Sequence, residues 1–350
     1  MISHKQATRR RRNRSIVRFA WVGAMAGTGV GLLVQLIEGG QLAPHLIRGA
    51  LVGFAIGLGV GFGEESFFFG RRRWRSYHLA TATRVGLYSL LVAVALIVVN
   101  AAGSSSGGTL GARALTYVGT PGFLRDAMLA VLVAAMGTAY LEVRRLHNPG
   151  EIRRFLFGRY RIPVEEERVF LFADLVDSTG LAERLGPRTY SAFVSDAFRD
   201  LSEAILAWRG EVYQYVGDQV VVSWPSDAGT RDASALRCFA QMTRDLERRS
   251  TVYEARYGAA PRFRAGIHAG PVVTTWVGLA KIELAFHGDT LNAAARIQSS
   301  AQSHGADLLV SAPTLRQMAG AEDFPVRSVG PVELRGREER VELYAVSVRE

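Results

Sequence analysis

Two aspartates in the second half of the chain each follow an apolar run, in positions where their carboxylates can bind a divalent cation. Asp174 ends the apolar run of VFLFADLVDSTG, and Asp218 lies between the two apolar runs of VYQYVGDQVVVSW, which predict a hairpin. A residue that ends or turns a strand lies at the rim of the sheet, so both carboxylates can reach one site. Carboxylate oxygens, with water and phosphate oxygens, are the usual ligands of Mg²⁺ and Mn²⁺. The sequence therefore predicts a metal site at Asp174 and Asp218.

Two further segments supply groups that suit a nucleotide. HGDTLNAAARIQ predicts a helix with Asp289 as its N-cap, and Asn292 and Arg296 lie four residues apart on one face of that helix. An amide and a guanidinium in this arrangement match a ribose and a phosphate. A second helix is predicted to begin after Asp174, and the free N–H groups at its start can bind phosphate oxygens. The turn that leads into it contains Asp177, Ser178 and Thr179.

In this combination the motifs resemble the catalytic domain of the class III adenylyl and guanylyl cyclases, over about residues 151–350. The resemblance implies an enzyme that converts ATP to 3′,5′-cyclic AMP and pyrophosphate. It implies two Mg²⁺ or Mn²⁺ ions per site, held by Asp174, Asp218 and the backbone carbonyl of Leu175. Asn292 would then lie near the ribose. Arg296 would face the α-phosphate, where negative charge accumulates as the 3′-oxygen attacks in line.

The resemblance also implies a homodimer with equivalent sites at an isologous interface. Asp174 and Asp218 would come from one chain, and the other chain would supply Asn292, Arg296 and Arg335. Arg335, in VELRG, lies where the family keeps a basic residue for the terminal phosphates. The other substrate-binding positions outside the base pocket are Asp177, Ser178, Thr179 and Gly217.

The residues at the base-reading positions leave the choice of purine open. Gln214 stands where adenylyl cyclases usually have Lys and guanylyl cyclases Glu, and Ala285 stands where adenylyl cyclases have Asp or Thr. A glutamine amide both donates and accepts, so Gln214 can pair with adenine or with guanine. Lys281 or Glu283 could supply the missing polar group. We expect ATP as the substrate, with a guanylyl or dual-specificity cyclase as the alternative.

Two other classes of protein compete with this interpretation. A catalytically degenerate, cyclase-like membrane receptor would explain Gln214 and Ala285. It would not explain the joint presence of Asp174, Asp218, Asn292 and Arg296. A diguanylate cyclase would carry a double glycine with acidic residues at the hairpin, and the hairpin here reads VGDQV.

The catalytic half, predicted at 167–350, alternates strands and helices but contains tight hairpins, which exclude a wholly parallel sheet. An α+β ferredoxin-like core accommodates both features. Strands are predicted at Val169–Ala173, Val212–Val216, Val220–Trp224, Phe263–His268, Val272–Val277, Ile282–His287, Leu308–Ser311, Val329–Leu334 and Val341–Val348. Helices are predicted over Leu181–Trp208, near Asp232–Tyr253 and from Asp289.

The first half predicts an α-helical membrane domain over residues 1–145. Residues 1–150 carry 17 Lys+Arg against 5 Asp+Glu, whereas residues 151–350 carry 25 against 27. The basic residues therefore flank apolar runs and indicate membrane topology rather than nucleic-acid binding. Four stretches are long enough to span a bilayer: Ile16–Ile37, Leu46–Gly63, Leu79–Asn100 and Leu124–Val143. The arginine clusters place both termini in the cytoplasm, and we expect a multi-pass protein of the inner or plasma membrane with its catalytic domain cytoplasmic.

Glycines recur every four residues in the first two predicted spans, at Gly23, Gly27 and Gly31, and at Gly49, Gly53, Gly57 and Gly61. This spacing forms a groove that a neighbouring helix can approach closely. The neighbour is either a helix of the same chain or one of a second chain in a dimer.

Residues 146–166 join the two halves. Pro149 can begin a short helix with Glu151 in its first turn. By resemblance to membrane-bound cyclases, this connector transmits changes from the membrane helices to the catalytic dimer. The alternative is a passive linker whose apolar face caps the domain.

Overall fold

The computed structural model describes residues 4–38, 42–63, 77–103, 108–146, 149–333 and 340–348. The chain separates into two compact units, Met1–Leu146 and His147–Glu350.

The described residues of the first unit form helices. These are α1 (His4–Glu38), α2 (Leu42–Gly63), α3 (Tyr77–Gly103), α4 (Leu110–Val118) and α5 (Pro121–Leu146). The glycine series of α1 and α2 face each other. A Cβ atom added at Gly53 would overlap the carbonyl oxygen of Gly23, and one added at Gly27 would overlap that of Gly49. The two backbones are therefore in direct contact, so these glycines pack two helices of the same chain together.

Two described helical segments are long and apolar enough to cross a membrane, Leu42–Gly63 and Ala82–Ala102. Only 22% and 17% of their most apolar windows are buried, so most of these residues do not face a protein core. The first predicted span lies in α1, where the apolar stretch Ile16–Leu32 is shorter. The fourth lies in α5, which does not meet the same criterion over its described residues. A count of four transmembrane helices stays a prediction.

The second unit is built on an eight-stranded mixed sheet. Its strands are β1 (Val164–Leu175), β2 (Glu211–Val216), β3 (Gln219–Pro225), β4 (Phe263–Val277), β5 (Glu283–His287), β6 (Leu308–Ser311), β7 (Val326–Val332) and β8 (Val341–Val346). Their order is β2-β3-β1-β4-β6-β8-β7, and β5 pairs with β4. The α-helices are α6 (Pro149–Leu156), α7 (Ser178–Ala207), α8 (Ser226–Thr230), α9 (Ser234–Glu247), α10 (Ser250–Tyr257), α11 (Asp289–Ser300) and α12 (Ala312–Gln317).

The first four strands have a ferredoxin-like arrangement. The chain runs β1, α7, β2, β3, α9, β4, and these strands lie side by side in the order β2-β3-β1-β4 with antiparallel neighbours. This split β-α-β pattern, repeated once, is the α+β core that the sequence predicted. It places β1 in the middle of the four, directly beside β3.

Both faces of β1 are covered, which explains its continuous apolar run. Leu171 and Ala173 belong to the core cluster that includes residues of α7 and α9. Phe170 and Phe172 belong to the cluster on the opposite face, which includes Ala294 of α11. By strand alternation Asp174 lies on the same face as Phe170 and Phe172.

One predicted break in the sheet is wrong. The sequence suggested separate strands at Phe263–His268 and Val272–Val277, but β4 runs unbroken from Phe263 to Val277. Pro271 is tolerated because β6 pairs with β4 at residues 265–267 and β5 pairs with it at residues 273–277. Pro271 lies in the gap between them, where its missing N–H removes no ladder hydrogen bond on that side.

Two helix predictions also need correction. The helical region predicted over Leu181–Trp208 begins earlier, at Ser178, and it is kinked at Gly186, which has a φ of 71° and precedes Pro187. The helix predicted near Asp232–Tyr253 is divided into α9 and α10. The second closing strand ends at Val346, and Leu334, the predicted end of the first, lies outside the described residues.

Candidate active site

The hairpin between β2 and β3 brings Asp218 close to Asp174. Asp174 is the next-to-last residue of β1 and stands opposite Gln219 of β3, which directly follows Asp218. The turn depends on Gly217, whose φ of 62° is a conformation that glycine adopts without strain. Burial and the negative charge of Asp218 raise the pKa of Asp174, against a hydrogen bond that the Leu175 backbone N–H donates to its carboxylate. The two predicted carboxylates therefore lie near enough to interact.

One oxygen of this pair is buried without a hydrogen-bond donor. In the described part of the chain, no donor contacts Oδ2 of Asp218. A buried carboxylate oxygen in this state is costly unless a cation neutralises it, so these residues fit Mg²⁺ or Mn²⁺. Across the described ranges, no three His, Cys, Asp or Glu side chains form a cluster that could hold a metal. The remaining ligands of such an ion would be backbone oxygens, water or substrate phosphates.

The turn after β1 presents backbone N–H groups beside the carboxylates. Asp177 has a left-handed backbone (φ 57°) and α7 begins at the next residue. The N–H groups of the first turn, which includes Ser178 and Thr179, have no partner within the helix and point out of its end. The exposed Asp177 side chain pairs with Arg184 at 3.2 Å, so its side chain is already engaged within the chain.

Asn292 and Arg296 project from one side of α11. Ala293, Ala294 and Ile297 are buried, whereas Asn292 is exposed and Arg296 is half-buried. The N-cap is Gly288, with a φ of 145°, rather than Asp289 as predicted, because the helix is entered one residue earlier. Nη1 of Arg296 is buried and has no acceptor among the described residues. A donor in this state suits an anionic ligand.

The structure does not gather the predicted base-reading residues around a closed pocket within one chain. Gln214 is exposed on β2, and Ala285 is half-buried on β5. Lys281 lies before β5 rather than in it, is 80% exposed, and forms an ion pair with Glu283. Arg335 lies outside the described residues.

Two residues beside the carboxylates were missed by sequence reasoning. Arg264 of β4 stands directly opposite Asp174 in the strand register and is half-buried. Directly opposed side chains lie on the same face of a sheet, so Arg264 leaves β4 on the face that carries Asp174. Arg264 lies within the predicted strand Phe263–His268, but the strand with which it pairs could not be read from the sequence.

Tyr190 is the second missed residue. The side chains of Tyr190 and Ser178 are hydrogen-bonded, and Tyr190 lies with Gly217 and Asp218 in the wall of an open groove of about 610 Å³. Burial and the charges of Asp218 and Asp174 raise the pKa of Tyr190. The kink at Gly186 precedes this residue and could not be placed from sequence periodicity.

Comparisons with known proteins agree with this fold. Residues 163–347 match the protein-family model described as "Adenylate and Guanylate cyclase catalytic domain". The chain is 34% identical over 230 residues to "Adenylate cyclase 2" of Rhizobium meliloti (strain 1021), which covers 63% of each protein. It is 30% identical over 184 residues to "Adenylate cyclase 1" of the same strain, which covers 52% of this chain and 27% of the relative. The chain thus spans less than two thirds of the length of these relatives.

The fold is also found in a solved structure, that of a bacterial light-regulated adenylyl cyclase. The match has a TM-score of 0.55 at 18% identity and covers 66% of this chain and 67% of the other. At this identity the likeness concerns the fold alone. The family match covers more than half of the chain, and it coincides with the strands and helices that carry the paired carboxylates and the Asn/Arg helix. The chain therefore belongs to the class III nucleotidyl cyclase family.

Proposed function

We propose that this protein is a membrane-anchored adenylyl cyclase that converts ATP to 3′,5′-cyclic AMP and pyrophosphate. The observation that carries the proposal is the juxtaposition of Asp174 and Asp218 at the end of β1 and the tip of the adjacent hairpin. The similarity to two adenylate cyclases supports the reaction class.

Asp174 and Asp218 would hold two Mg²⁺ or Mn²⁺ ions, with the carbonyl of Leu175 as a further ligand. When bound, the ions would neutralise the triphosphate charge and lower the pKa of the attacking 3′-hydroxyl. The unpartnered Oδ2 of Asp218 is the feature of this chain that suits such a role.

The remaining residues would bind and orient the nucleotide. The N–H groups at Ser178 and Thr179 would bind phosphate oxygens at the start of α7. Arg264 would add positive charge beside the same phosphates. Arg296 would face the α-phosphate, where a fixed guanidinium stabilises the transition state more than the ground state.

We further propose that the active site forms between two chains. Among the described residues, no ion pair or hydrogen bond joins Arg296 to Asp174 or Asp218. In a homodimer the carboxylates of one chain would face Asn292, Arg296 and Arg335 of the other, in two equivalent sites.

The anchoring of the enzyme would come from its first unit. Two apolar helices of sufficient length, flanked in sequence by arginine clusters, support multi-pass insertion in the plasma or inner membrane. The catalytic unit would then lie in the cytoplasm, where ATP is available.

The test is turnover by the purified full-length protein in detergent or nanodiscs, with Mn²⁺ and either ATP or GTP, and with products separated by chromatography. Formation of 3′,5′-cyclic AMP from ATP is the expected result. A product formed mainly from GTP would favour a guanylyl cyclase. Nucleotide binding without turnover would favour the receptor alternative.

A further inference from the structure

A buried arginine near the start of β1 joins three strands of the catalytic sheet. Arg168 is 1% exposed, and its guanidinium donates to Glu166 at 2.9 Å and to Glu211 at 3.0 Å. It also donates to the hydroxyl of Ser223 at 3.3 Å and lies 4.5 Å from the ring centre of Phe286. Glu211 is the first residue of β2, and Ser223 belongs to β3. The group therefore ties β2 to β1 across β3.

The connector contacts the same glutamate. Arg154 of α6 donates to both carboxylate oxygens of Glu211, at 3.1 and 2.5 Å. Phe155 packs edge-on against Trp276 of β4 at 5.5 Å, and the Trp276 indole N–H donates to the carbonyl of Arg159 at 2.8 Å. These contacts hold the connector on the sheet, with Arg154 as its direct link to β2.

The strand that begins at Glu211 carries two predicted site residues toward its other end. Gln214 lies three residues farther on, roughly 10 Å at the usual rise of a strand, and the turn after β2 contains Asp218. β2 is the last strand of the sheet order, so among the described strands its backbone pairs with β3 alone. Its register with β3 shifts between Val212 and Gln214. An edge strand with an irregularity is easier to displace than a central strand.

We infer that Glu211 is a positioning residue for the catalytic hairpin, and that Arg154 is the contact through which the connector acts on it. The inference rests on the proposed cyclase activity and adds the residues by which the active site is coupled to the preceding segment. When α6 holds Glu211, β2 is fixed in the register that presents Gln214 and Asp218. When that contact is lost, Arg168 is the remaining charged partner of Glu211 among the described residues.

The Glu211 carboxylate is shared between the connector helix and β1. Oε2 of Glu211 accepts from both Arg154 and Arg168, so a displacement of α6 changes the bonding of a group fixed on β1. Charged networks of this kind add little stability compared with apolar packing, but they favour one arrangement over others. A bidentate arginine pair is also strict in geometry, and lysine cannot reproduce it.

The experiment compares the full-length wild type with Arg154→Ala, Arg154→Lys and Glu211→Gln. The matched control is Arg237→Ala, which removes an arginine paired with Asp323 in the same unit but away from β2. Thermal unfolding shows that each variant is folded. Two readouts follow: kcat and KM for MgATP and MgGTP, and hydrogen exchange of the hairpin peptide 211–220.

We expect Arg154→Ala and Glu211→Gln to lower kcat/KM by roughly 2- to 30-fold, to change the ATP-to-GTP ratio, and to speed exchange in the hairpin peptide. Arg154→Lys should have a smaller effect, and Arg237→Ala should leave the ratio and the exchange as in the wild type. Two results would overturn the inference. One is a hairpin peptide in Arg154→Ala that exchanges at the wild-type rate, and the other is an equal loss of kcat/KM in Arg154→Ala and Arg237→Ala. If the wild type and Arg237→Ala make no cyclic nucleotide, the proposed function is wrong, and the exchange measurement still decides this inference.

Discussion

At the scale of single residues, burial and the nearby charge of Asp218 make ionised Asp174 unfavourable in the folded chain. The pKa of Asp174 is raised by burial and by Asp218, so its ionised form is less stable in the folded chain than in the unfolded chain. Near neutral pH Asp174 is ionised in the unfolded chain, so its raised pKa in the folded chain lowers the stability of the metal-free protein. In the proposed metal site, a divalent ion would offset this cost.

We therefore predict that Asp174→Asn raises the metal-free Tm while it abolishes activity. In a unit of this size about 1 kcal/mol corresponds to roughly 2–4 °C. Turnover should fall by roughly 100-fold or more, because metal ions contribute several kcal/mol of charge stabilisation. Thermal unfolding with and without Mn²⁺ measures the first effect, and the Mn²⁺-induced rise in Tm should be smaller than in the wild type. Retention of the full Mn²⁺ effect and near-normal turnover would remove Asp174 from the metal site.

Base selection is a second question at this scale. Gln214 is exposed on β2, and Lys281 is largely exposed and paired with Glu283. Gln214→Glu should move the ratio of kcat/KM for ATP and GTP toward GTP by roughly tenfold or more, because an unmatched hydrogen-bonding group costs much selectivity. Lys281→Ala, the comparison variant, should change the ratio little. A large effect at Lys281 with none at Gln214 would reverse this assignment of the base-reading residue.

The residue types and spacing predict Asp174, Asp218, Asn292 and Arg296 as site residues, and the structure brings the two aspartates close together. Arg264 was missed because its proximity to Asp174 depends on the pairing of β4 with β1, across about 90 residues of sequence. Tyr190 was missed because its contact with Ser178 comes from a helix that is kinked at Gly186. Local patterns identify residues with suitable chemistry, whereas long-range register decides what lies next to them.

At the scale of elements, an ion pair joins the connector helix to β2, and its contribution to stability depends on pH. Burial alone would raise the pKa of Glu211, but the hydrogen bond and positive charge of Arg154, with the charge of Arg168, outweigh it and lower that pKa. The pKa of Glu166 is also lowered, since its bonds to Thr274, Arg168 and Tyr160 outweigh burial. Such groups stabilise the fold fully above the unfolded pKa, and the contribution is lost as pH falls through the folded pKa.

Glu211→Gln should therefore reduce stability at neutral pH and flatten its acid dependence. As the pH falls below about 5, the wild type should lose the contribution of this pair, whereas the variant has less to lose. Denaturant midpoints measured across that range test the prediction, with Glu254→Gln on the exposed surface of α10 as the control. If the denaturant midpoint falls equally steeply with pH in the wild type and in Glu211→Gln, the pair does not contribute to the loss of stability in acid.

The elements themselves were largely predictable where the local pattern was strong. The hairpin of β2 and β3 follows from two apolar runs on either side of a glycine turn. The strand before Asp174 follows from its own apolar run. The break assigned within β4 was wrong because Gly270 and Pro271 look like a turn in isolation. Their extended conformation depends on β1, whose residues pair with β4 without interruption from Val164 to Leu175. The local sequence does not predict this long-range pairing.

At the scale of the whole molecule, the two halves of the proposed site have different surroundings within one chain. Asp174 and Asp218 interact with each other, whereas the buried Nη1 of Arg296 has no acceptor in the described part of the chain. A site completed by a second chain would satisfy both groups. It would also make the geometry of the dimer, and hence the connector that precedes each catalytic unit, the natural point of control.

Shared sites lead to a quantitative complementation prediction. Asp174→Ala and Arg296→Ala should each be inactive alone, because every site in either homodimer lacks one essential group. With random pairing of equal amounts, half of the dimers are mixed, and each mixed dimer has one intact site out of two. Co-expressed chains should therefore regain roughly one quarter of wild-type activity.

The measurement needs two purification tags, so that mixed dimers are isolated directly; in that fraction the expected activity is about one half. Asp174→Ala paired with Asp218→Ala is the control: both changes affect the same half-site, so its mixed dimers should stay inactive. Activity in this control, or none in the first pair despite isolated mixed dimers, would mean that the carboxylates and Arg296 do not meet across a dimer interface.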